Sequence, residues 1–263
     1  MADDPFSLDG LTIVVTGGNG QLGRAFVERF TAAGARVAIV DLVTDAVVES
    51  EYVGGFAADV TDRTSLEAAL RKIEARWATP VGLVNAAALD SPPDAPAGEN
   101  GPFETYPSDS FDRVMSVNVK GTLLCCQVFG AAMARQKAGT IVNVASIYGM
   151  VSPDQRIYEY RRERGEEFYK PVAYSVSKSA LYNLTRYLAT YWGDAGVRVN
   201  TVTFAGVKAN QDAEFLKAYH AKVPLGRMAN ASECAASVQF LLSDAASYVT
   251  GSNLVVDGGF TAW

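Results

Sequence analysis

The chain has 263 residues, of which 49% are hydrophobic, and its formal net charge of -6 argues against the clustered basic surface that nucleic-acid binding requires. The acidic start, MADDPFSLDG, lacks the apolar stretch of a signal peptide, and no run reaches the roughly 18 apolar residues of a membrane span. Because Cys125 and Cys126 are adjacent and Cys234 is distant, a disulfide scaffold is not indicated, so we expect a cytoplasmic protein with reduced thiols and neither a nucleic-acid nor a membrane partner.

Short β-branched segments alternate with longer helical patterns along the whole chain. The predicted strands cover residues 11–16, 36–41, 54–60, 81–88, 139–146, 197–206 and 253–259. The predicted helices cover residues 21–34, 61–77, 108–136, 173–193 and 231–242, and Thr61 or Asp62 caps the second of them. This alternation, without a break in composition, predicts one α/β domain over residues 1–263, a doubly wound parallel sheet of about seven strands with helices on both faces.

Two long segments interrupt this alternation. Residues 89–109 are rich in proline and glycine, and residues 147–173 are long for a connection between a strand and a helix. Both follow the carboxyl ends of predicted strands, which form the edge of an open α/β sheet where ligands bind. We therefore expect the functional site beside these two segments.

A glycine-rich turn joins the first predicted strand to the first predicted helix. Its sequence, Gly18-Asn19-Gly20-Gln21-Leu22-Gly23, fits the G-x-G-x-x-G pattern of dinucleotide-binding turns. Glycine permits positive φ angles and leaves space for a pyrophosphate beside the N–H groups at a helix start. The pattern predicts a dinucleotide site, and a tight turn that binds no ligand is the alternative.

Asp41 ends the second predicted strand, about 20 residues beyond the glycine-rich turn. A carboxylate at that position accepts hydrogen bonds from the ribose hydroxyls of NAD and repels the 2′-phosphate of NADP. No lysine or arginine immediately follows Asp41 to compensate for this repulsion. We therefore predict NAD rather than NADP, the alternative being that Asp41 is only an exposed turn residue.

The segment YSVSK places Tyr174 and Lys178 four residues apart in a predicted helix, and thus on one helical face. A tyrosine with an ordinary pKa near ~10 is a poor base at neutral pH, but a nearby ammonium and a bound nicotinamide cation favour its phenolate. Such a pair is also common on helix surfaces. Ser146, at the end of a strand upstream, and the dinucleotide-binding turn favour the catalytic interpretation.

Several short motifs follow one another along almost the whole chain: Thr16-Gly17, Asp59-Val60, Asn85-Ala86-Ala87, Asn118, Ser146, Tyr174 with Lys178, and YVTGSNLVVDGG at 248–259. Together they resemble the short-chain dehydrogenase/reductase (SDR) family. The resemblance implies a Rossmann fold and hydride transfer between a nicotinamide cofactor and a CH–OH group. The chain departs from the family at Gln21, which stands where the second glycine of T-G-x-x-x-G-x-G is usual, so that it fits T-G-x-x-G-x-x-G instead.

The resemblance also implies roles for individual residues. Tyr174 would be the general acid/base, Lys178 would bind the nicotinamide ribose and lower the pKa of the tyrosine, and Ser146 would hydrogen-bond the substrate oxygen. Asn118 would hold a water molecule that links Lys178 to solvent. The residues expected to bind the cofactor are Gly17, Asn19, Gly20, Gln21, Leu22, Asp41, Asp59, Val60, Asn85, Ala86, Ala87, Tyr174, Lys178 and, through its backbone, Val207.

Residues 150–170 make the interval between Ser146 and Tyr174 longer than is usual in the family. This insertion and the SIYG segment before it resemble a subgroup of flagellin-modification and sugar-biosynthesis oxidoreductases. Arginine binds phosphate and carboxylate oxygens bidentately, so we predict a substrate lid with the candidate substrate residues Tyr148, Arg156, Tyr158 and Arg161. The alternative is a solvated surface lid, because the glutamates of the insertion neutralise its arginines.

The resulting hypothesis is an NAD(H)-dependent oxidoreductase that interconverts a secondary alcohol and a ketone on a sugar, a sugar phosphate or a nucleotide sugar. A small keto compound or a 3-oxoacyl thioester is an alternative substrate. An epimerase or dehydratase that retains its cofactor, and a dinucleotide sensor without turnover, are alternative functions. The resemblance implies a homotetramer or homodimer, and no metal is expected because no histidine, cysteine and aspartate cluster has metal-ligand spacing.

Overall fold

Seven parallel strands form one sheet in the part of the chain that the computed structural model describes, residues 4–90 and 97–263. They are β1 (Thr12–Thr16), β2 (Arg36–Asp41), β3 (Val53–Ala57), β4 (Gly82–Asn85), β5 (Gly139–Ser146), β6 (Val197–Phe204) and β7 (Asn253–Val256). Their order across the sheet is β3-β2-β1-β4-β5-β6-β7. The direction of winding therefore reverses between β1 and β4. This confirms the doubly wound fold and opens a crevice at the carboxyl ends of these two strands.

Helices cover both faces of the sheet. They are α1 (Gln21–Ala32), α2 (Arg63–Arg76), α3 (Ser108–Gln136), α4 (Glu159–Glu163), α5 (Val172–Trp192), α6 (Ala213–His220) and α7 (Ala231–Leu242). Successive side chains of a strand point to opposite faces, so each strand contributes to two cores. In β1, Val14 belongs to a core shared with α2 and α3, whereas Ile13 and Val15 belong to a second core shared with α1 and α7.

The predicted helices agree closely with the structure, whereas several predicted strands extend too far at their carboxyl ends. The fourth strand, for example, ends at Asn85 rather than at residue 88. There the Thr16 hydroxyl accepts hydrogen bonds from the N–H groups of Ala86 at 3.1 Å and Ala87 at 3.2 Å. These two hydrogen bonds turn the chain away from the sheet after Asn85 and direct it toward the crevice. The cap of α2 is Asp62, whose carboxylate accepts a hydrogen bond from the N–H group of Thr64 at 2.9 Å.

α3 is a continuous helix with two wider, π-helical turns at Ser116–Gly121 and Cys126–Gly130. Turns of this kind are frequent at functional sites, and Asn118 lies in the first of them. Cys125 and Cys126 are buried in the core. By length and composition alone α3 could cross a bilayer, but 56% of its most apolar stretch is buried inside this fold, as in a core helix.

Residues 150–170 fold onto α6 instead of extending into solvent. Tyr158 and Phe168 belong to a third buried cluster, which includes Tyr219 of α6 and Met228. The ring centroid of Tyr158 lies 5.0 Å from that of Phe168 and 5.6 Å from that of Phe215, also on α6. These aromatic contacts fix the insertion over the carboxyl edge of the sheet.

Gly23 is the position at which α1 approaches the glycine-rich turn most closely. A Cβ atom there would lie 2.6 Å from the Cα atom of Gly18 and still closer to the carbonyl oxygen of Gly17. Because both are backbone atoms, we expect Gly23→Ala to destabilise the fold by about 1–3 kcal/mol. The measurement is thermal unfolding without added cofactor, in which this loss would lower the melting temperature by several degrees.

Gly193→Ala is the matched control for this substitution. Gly193 has helical backbone angles, with φ -54, and a Cβ atom there would meet no other atom within 4 Å. We expect this variant to melt at or slightly above the temperature of the wild type, because alanine restricts the unfolded chain. Equal losses of stability in the two variants would contradict the close approach of α1 to the turn.

Candidate active site

Three of the four predicted catalytic residues come together at the carboxyl edge of the sheet. Ser146 is the last residue of β5, and Tyr174 and Lys178 lie one turn apart on α5. The Nζ atom of Lys178 lies 5.7 Å from the ring centroid of Tyr174 and donates a hydrogen bond to the carbonyl oxygen of Val144 at 2.8 Å. Ser146, Tyr174 and Lys178 all line a cleft of about 620 Å³.

The environment of this cleft shifts the pKa of both Tyr174 and Lys178. Burial raises the pKa of Tyr174 well above its ordinary value, the charge of Asp90 raises it further, and a hydrogen bond with Ser146 partly offsets these effects. Burial lowers the pKa of Lys178 to about 8, and the charge of Asp90 opposes that shift. Tyr174 is therefore protonated at neutral pH in this state, and its phenolate requires additional positive charge nearby.

Asn118, the fourth predicted catalytic residue, is directed toward the loop after β4 rather than toward Lys178. Its side-chain oxygen accepts a hydrogen bond from the N–H group of Leu89 at 2.7 Å. Its side-chain nitrogen donates to the carbonyl oxygen of Leu89 at 2.9 Å and to the hydroxyl of Ser177 at 2.9 Å. The side chain thus fixes the start of that loop, and its predicted role in holding a water stays a prediction.

Tyr182 contributes to the site in a way that the sequence analysis missed. Its hydroxyl donates a hydrogen bond to the carbonyl oxygen of Ser146 at 2.9 Å and lies 2.9 Å from the hydroxyl oxygen of Thr203 on β6. Tyr182 therefore holds the end of β5 in position. The spacing of Tyr174, Lys178 and Tyr182, each four residues apart, contained this signal, since it places all three on one helical face.

The glycine-rich turn has the shape that a pyrophosphate requires. Gly17 adopts a φ of +66, and a Cβ atom there would lie 2.8 Å from the Cα atom of Ala87. Gly20 precedes α1 without a side-chain cap, so the first N–H groups of the helix remain available to an anion. Gln21 and Leu22 line the cleft, and the Gln21 side-chain nitrogen donates to the carbonyl oxygen of Lys208 at 2.6 Å. These residues fit a dinucleotide cofactor.

Asp41 lies beside this turn, as predicted. Its carboxylate accepts hydrogen bonds from the N–H groups of Asn19 at 3.0 Å and Leu42 at 2.8 Å. Both bonds hold the carboxylate at the carboxyl end of β2. An acceptor at this edge suits the ribose hydroxyls of a bound adenosine.

Four of the other predicted cofactor residues fall into two pairs. Ala86 and Val207 line the cleft, and the carbonyl oxygen of Val207 accepts a hydrogen bond from the Gln211 side chain at 2.9 Å. Val60 and Asn85 are buried in the fold. The side-chain nitrogen of Asn85 donates to the side-chain oxygen of Asn143 at 2.8 Å, and a contact between Asn85 and a cofactor stays a prediction.

Asp59 lies on the surface and organises its own turn. Its carboxylate accepts hydrogen bonds from the N–H group and the hydroxyl of Thr61, both at 2.8 Å. These bonds leave carboxylate acceptor capacity at the edge of the sheet, since each oxygen has two lone pairs. A contact between Asp59 and adenine stays a prediction.

The candidate substrate residues behave differently from one another. Tyr148, Tyr158 and Arg161 line the cleft, as predicted. Arg156 does not, because its side chain is 80% exposed and its guanidinium pairs with Asp154 at 2.9 Å. The structure thus places Arg156 on the surface beside Asp154, and its contact with substrate stays a prediction.

Comparison with known proteins places these features in a family. Residues 19–261 match the model of a family described as enoyl-(acyl carrier protein) reductase. The chain is 34% identical to D-threitol dehydrogenase of Mycolicibacterium smegmatis, over 98% of this chain and 96% of that protein. It is 35% identical to galactitol 2-dehydrogenase (L-tagatose-forming) of Cereibacter sphaeroides, over 98% of each.

A solved structure extends the likeness to three dimensions. The short-chain dehydrogenase of Leptospira borgpetersenii with bound NAD+ is 33% identical, with a TM-score of 0.87 over 99% of this chain and 96% of that one. These likenesses span nearly the whole chain, and they agree with the glycine-rich turn and with the cluster of Ser146, Tyr174 and Lys178. The protein therefore belongs to the short-chain dehydrogenase/reductase family, and it is an NAD(P)-dependent oxidoreductase that interconverts CH–OH groups and ketones.

Proposed function

We propose that the protein oxidises a secondary alcohol of an uncharged polyol or sugar, and catalyses the reverse reduction, with NAD(H) as its cofactor. The observation that carries this proposal is the cleft, in which Ser146, Tyr174 and Lys178 lie beside cations that already have carboxylate partners. The relatives named for D-threitol and galactitol support an uncharged polyol, because neither compound carries a charge.

The side chains of the cleft supply the proton chemistry. Tyr174 as a phenolate removes the proton of the substrate hydroxyl, and Lys178 stabilises that phenolate by its positive charge. Ser146 hydrogen-bonds the substrate oxygen, and Tyr182 keeps Ser146 in place through its carbonyl group. The nicotinamide, when bound, accepts the hydride that leaves the substrate carbon.

The charges of the insertion favour an uncharged substrate over a phosphorylated one. Three of its cations line the cleft, and each is paired: Arg161 with Glu166, Arg164 with Glu214, and Lys170 with Asp90. A phosphate group would have to compete with these carboxylates for the cations. An uncharged polyol needs only hydrogen bonds and leaves the ion pairs intact.

A sugar phosphate or nucleotide sugar is the second candidate substrate, as the resemblance to the flagellin-modification and sugar-biosynthesis subgroup predicts. Arg161 is the residue that favours it. Its guanidinium carbon lies 4.0 Å from the ring centroid of Phe168, and its side chain, only 18% exposed, lines the cleft. A phosphate that displaced Glu166 could bind this guanidinium bidentately.

Replacement of the proposed base gives the first test. We expect Tyr174→Phe to lower kcat/KM for D-threitol or galactitol by about 100- to 10,000-fold, because phenylalanine cannot accept the proton. The measurement follows NADH absorbance with these two polyols and with a sugar phosphate of similar length. NADH binding, measured by fluorescence, should persist in the variant.

Tyr52→Phe is the matched control, because Tyr52 is exposed and does not line the cleft. It should retain wild-type kcat/KM.

Preferred turnover of the sugar phosphate by the wild type would instead establish the second candidate. No net NADH formation together with tightly retained cofactor would indicate an epimerase or dehydratase, and NADH binding without any turnover would indicate a sensor.

Asp41 supports the preference for NAD over NADP. We expect the wild type to favour NAD in kcat/KM, and Asp41→Ala to lower that preference by about 10- to 100-fold, which is the effect of one hydrogen bond to a charged group. Asp45→Ala removes an exposed carboxylate four residues further along the same loop and should leave the preference unchanged. Equal use of the two cofactors by the wild type would refute the assignment.

We also propose that residues 1–263 form a single domain in which residues 150–170 cover the substrate. In the cytoplasm, the chain would assemble as a homotetramer. Support for assembly comes from α5, where Tyr187 and Tyr191 stack with ring centroids 5.9 Å apart although they are 61% and 67% exposed. A subunit contact would cover these rings. The molar mass in solution, measured by light scattering, tests the assembly.

A further inference from the structure

A second lysine, Lys170, lies closer to the ring of Tyr174 than Lys178 does. Its Nζ atom is 4.9 Å from the ring centroid, and its side chain is only 9% exposed. The backbone of Lys170 is held on both sides by Gln155, whose side-chain oxygen accepts from the N–H group at 2.9 Å and whose side-chain nitrogen donates to the carbonyl oxygen at 3.1 Å. The insertion therefore places this ammonium firmly against the catalytic tyrosine.

The ammonium of Lys170 forms an ion pair with Asp90, which lies 80 residues away in sequence. Asp90 is held by the neighbouring Leu89, whose backbone makes two hydrogen bonds with Asn118. The Asp90 side chain is 57% exposed and lines the cleft together with Tyr148, Tyr158 and Tyr174. The pair thus has a buried cationic end and a carboxylate that is open to the cleft.

The negative charge of Asp90 acts on Tyr174 and on two other tyrosines of the cleft. Burial raises the pKa of Tyr148, Tyr158 and Tyr174, and the Asp90 carboxylate raises the pKa of each of them further. A bare carboxylate here would oppose the phenolate that catalysis requires. Lys170 pairs with this carboxylate, and the positive charge of its ammonium beside the ring favours the phenolate over the neutral phenol.

We propose that Asp90, oriented by Lys170, accepts a hydrogen bond from a substrate hydroxyl on the carbon next to the reacting carbon, so that this ion pair selects vicinal diols. This inference rests on the proposed function. A carboxylate only accepts hydrogen bonds, whereas a hydroxyl donates one, so the two groups match. A carboxylate or phosphate at the same substrate position would be repelled. An alcohol without the second hydroxyl would leave the acceptor without this partner.

Butane-2,3-diol and butan-2-ol test the proposal, because they differ only in the neighbouring hydroxyl. The readout is the ratio of kcat/KM for the diol to kcat/KM for the monohydroxy alcohol. We expect Asp90→Asn and Lys170→Met each to lower this ratio, the former by about 10- to 100-fold, which is the effect of one hydrogen bond to a charged group. Lys170→Arg keeps the charge and should restore most of the ratio.

Two variants outside the cleft serve as matched controls. Lys222 and Asp154 form another lysine–aspartate ion pair, with Asp154 at the base of the insertion, and neither residue lines the cleft. Lys222→Met and Asp154→Asn should therefore leave the ratio unchanged. A fall of the ratio in these controls, or equal losses for both alcohols in Asp90→Asn, would show that the Asp90–Lys170 pair acts only through the structure of the insertion.

The pH profile of kcat/KM for butan-2-ol gives a readout that a structural role would not move. The ionisable groups that face Tyr174 are Asp90, Lys170, Lys178, Tyr148 and Tyr182. Loss of the carboxylate in Asp90→Asn should move the acid limb to lower pH, because the phenolate then forms more easily. Loss of the ammonium in Lys170→Met should move it to higher pH. If the acid limb moved in the same direction in both variants, or did not move in either, the proposal would be overturned.

Failure of this inference is distinguishable from failure of the proposed function. If the wild type binds NADH but oxidises none of D-threitol, galactitol, butane-2,3-diol and butan-2-ol, the proposed function fails. If the wild type oxidises them and the ratio is the same in Asp90→Asn, only the role of Asp90 fails. If Asp90→Asn does not fold, as judged by its melting temperature, the double variant Asp90→Asn/Lys170→Met removes both charges, and an unchanged ratio there overturns the proposal equally.

Discussion

The burial of the Lys178 ammonium is the constraint on which the rest of the site depends. Lys178 is only 4% exposed, and a buried charge is costly unless hydrogen bonds or opposite charges compensate for its lost hydration. β5 supplies that compensation through the carbonyl oxygen of Val144, two residues before the strand ends at Ser146. The contact that stabilises the lysine therefore also fixes its position relative to the serine. One helical turn of α5 then determines where Tyr174 lies.

Charge around Tyr174 is balanced rather than uniformly positive. Asp90 disfavours the phenolate of Tyr174, but it also opposes the lowering of the pKa of Lys178 that burial causes. The Asp90 carboxylate thus helps to keep Lys178 charged at neutral pH, and Asp90 itself pairs with the ammonium of Lys170. The Asp90–Lys170 ion pair thus keeps two opposite charges together near Tyr174.

The sequence predicts the fold well, because the alternation of buried strands and amphipathic helices repeats over the whole chain. It also predicts the meeting of Ser146, Tyr174 and Lys178, since the helical spacing and the carboxyl end of β5 are local signals. Side-chain direction is harder to predict. Asn85 is the last residue of β4, at the crevice, yet its side chain turns inward to Asn143 because the paired strands β4 and β5 bring the two amides together.

Long-range ion pairs are the features that no local pattern reveals. Lys170 and Asp90 lie on different connections, and the structure of the insertion brings them together. Arg156 shows the opposite case. Its partner Asp154 is only two residues away in the sequence. This short spacing indicates a local ion pair, whereas the number of arginines in the insertion by itself suggests an anion site.

The insertion therefore forms one wall of the cleft. Tyr158 and Phe168 are buried against α6, and each buried aromatic side chain contributes about 1.5–3 kcal/mol to holding the insertion there. The Tyr160 hydroxyl adds a hydrogen bond to Asp212 at 2.7 Å, at the start of α6. Moving the insertion as a unit would expose these rings and break this contact. On the proposed function, Asp90 and Lys170 would then select among substrates from positions that the same packed cluster holds in place.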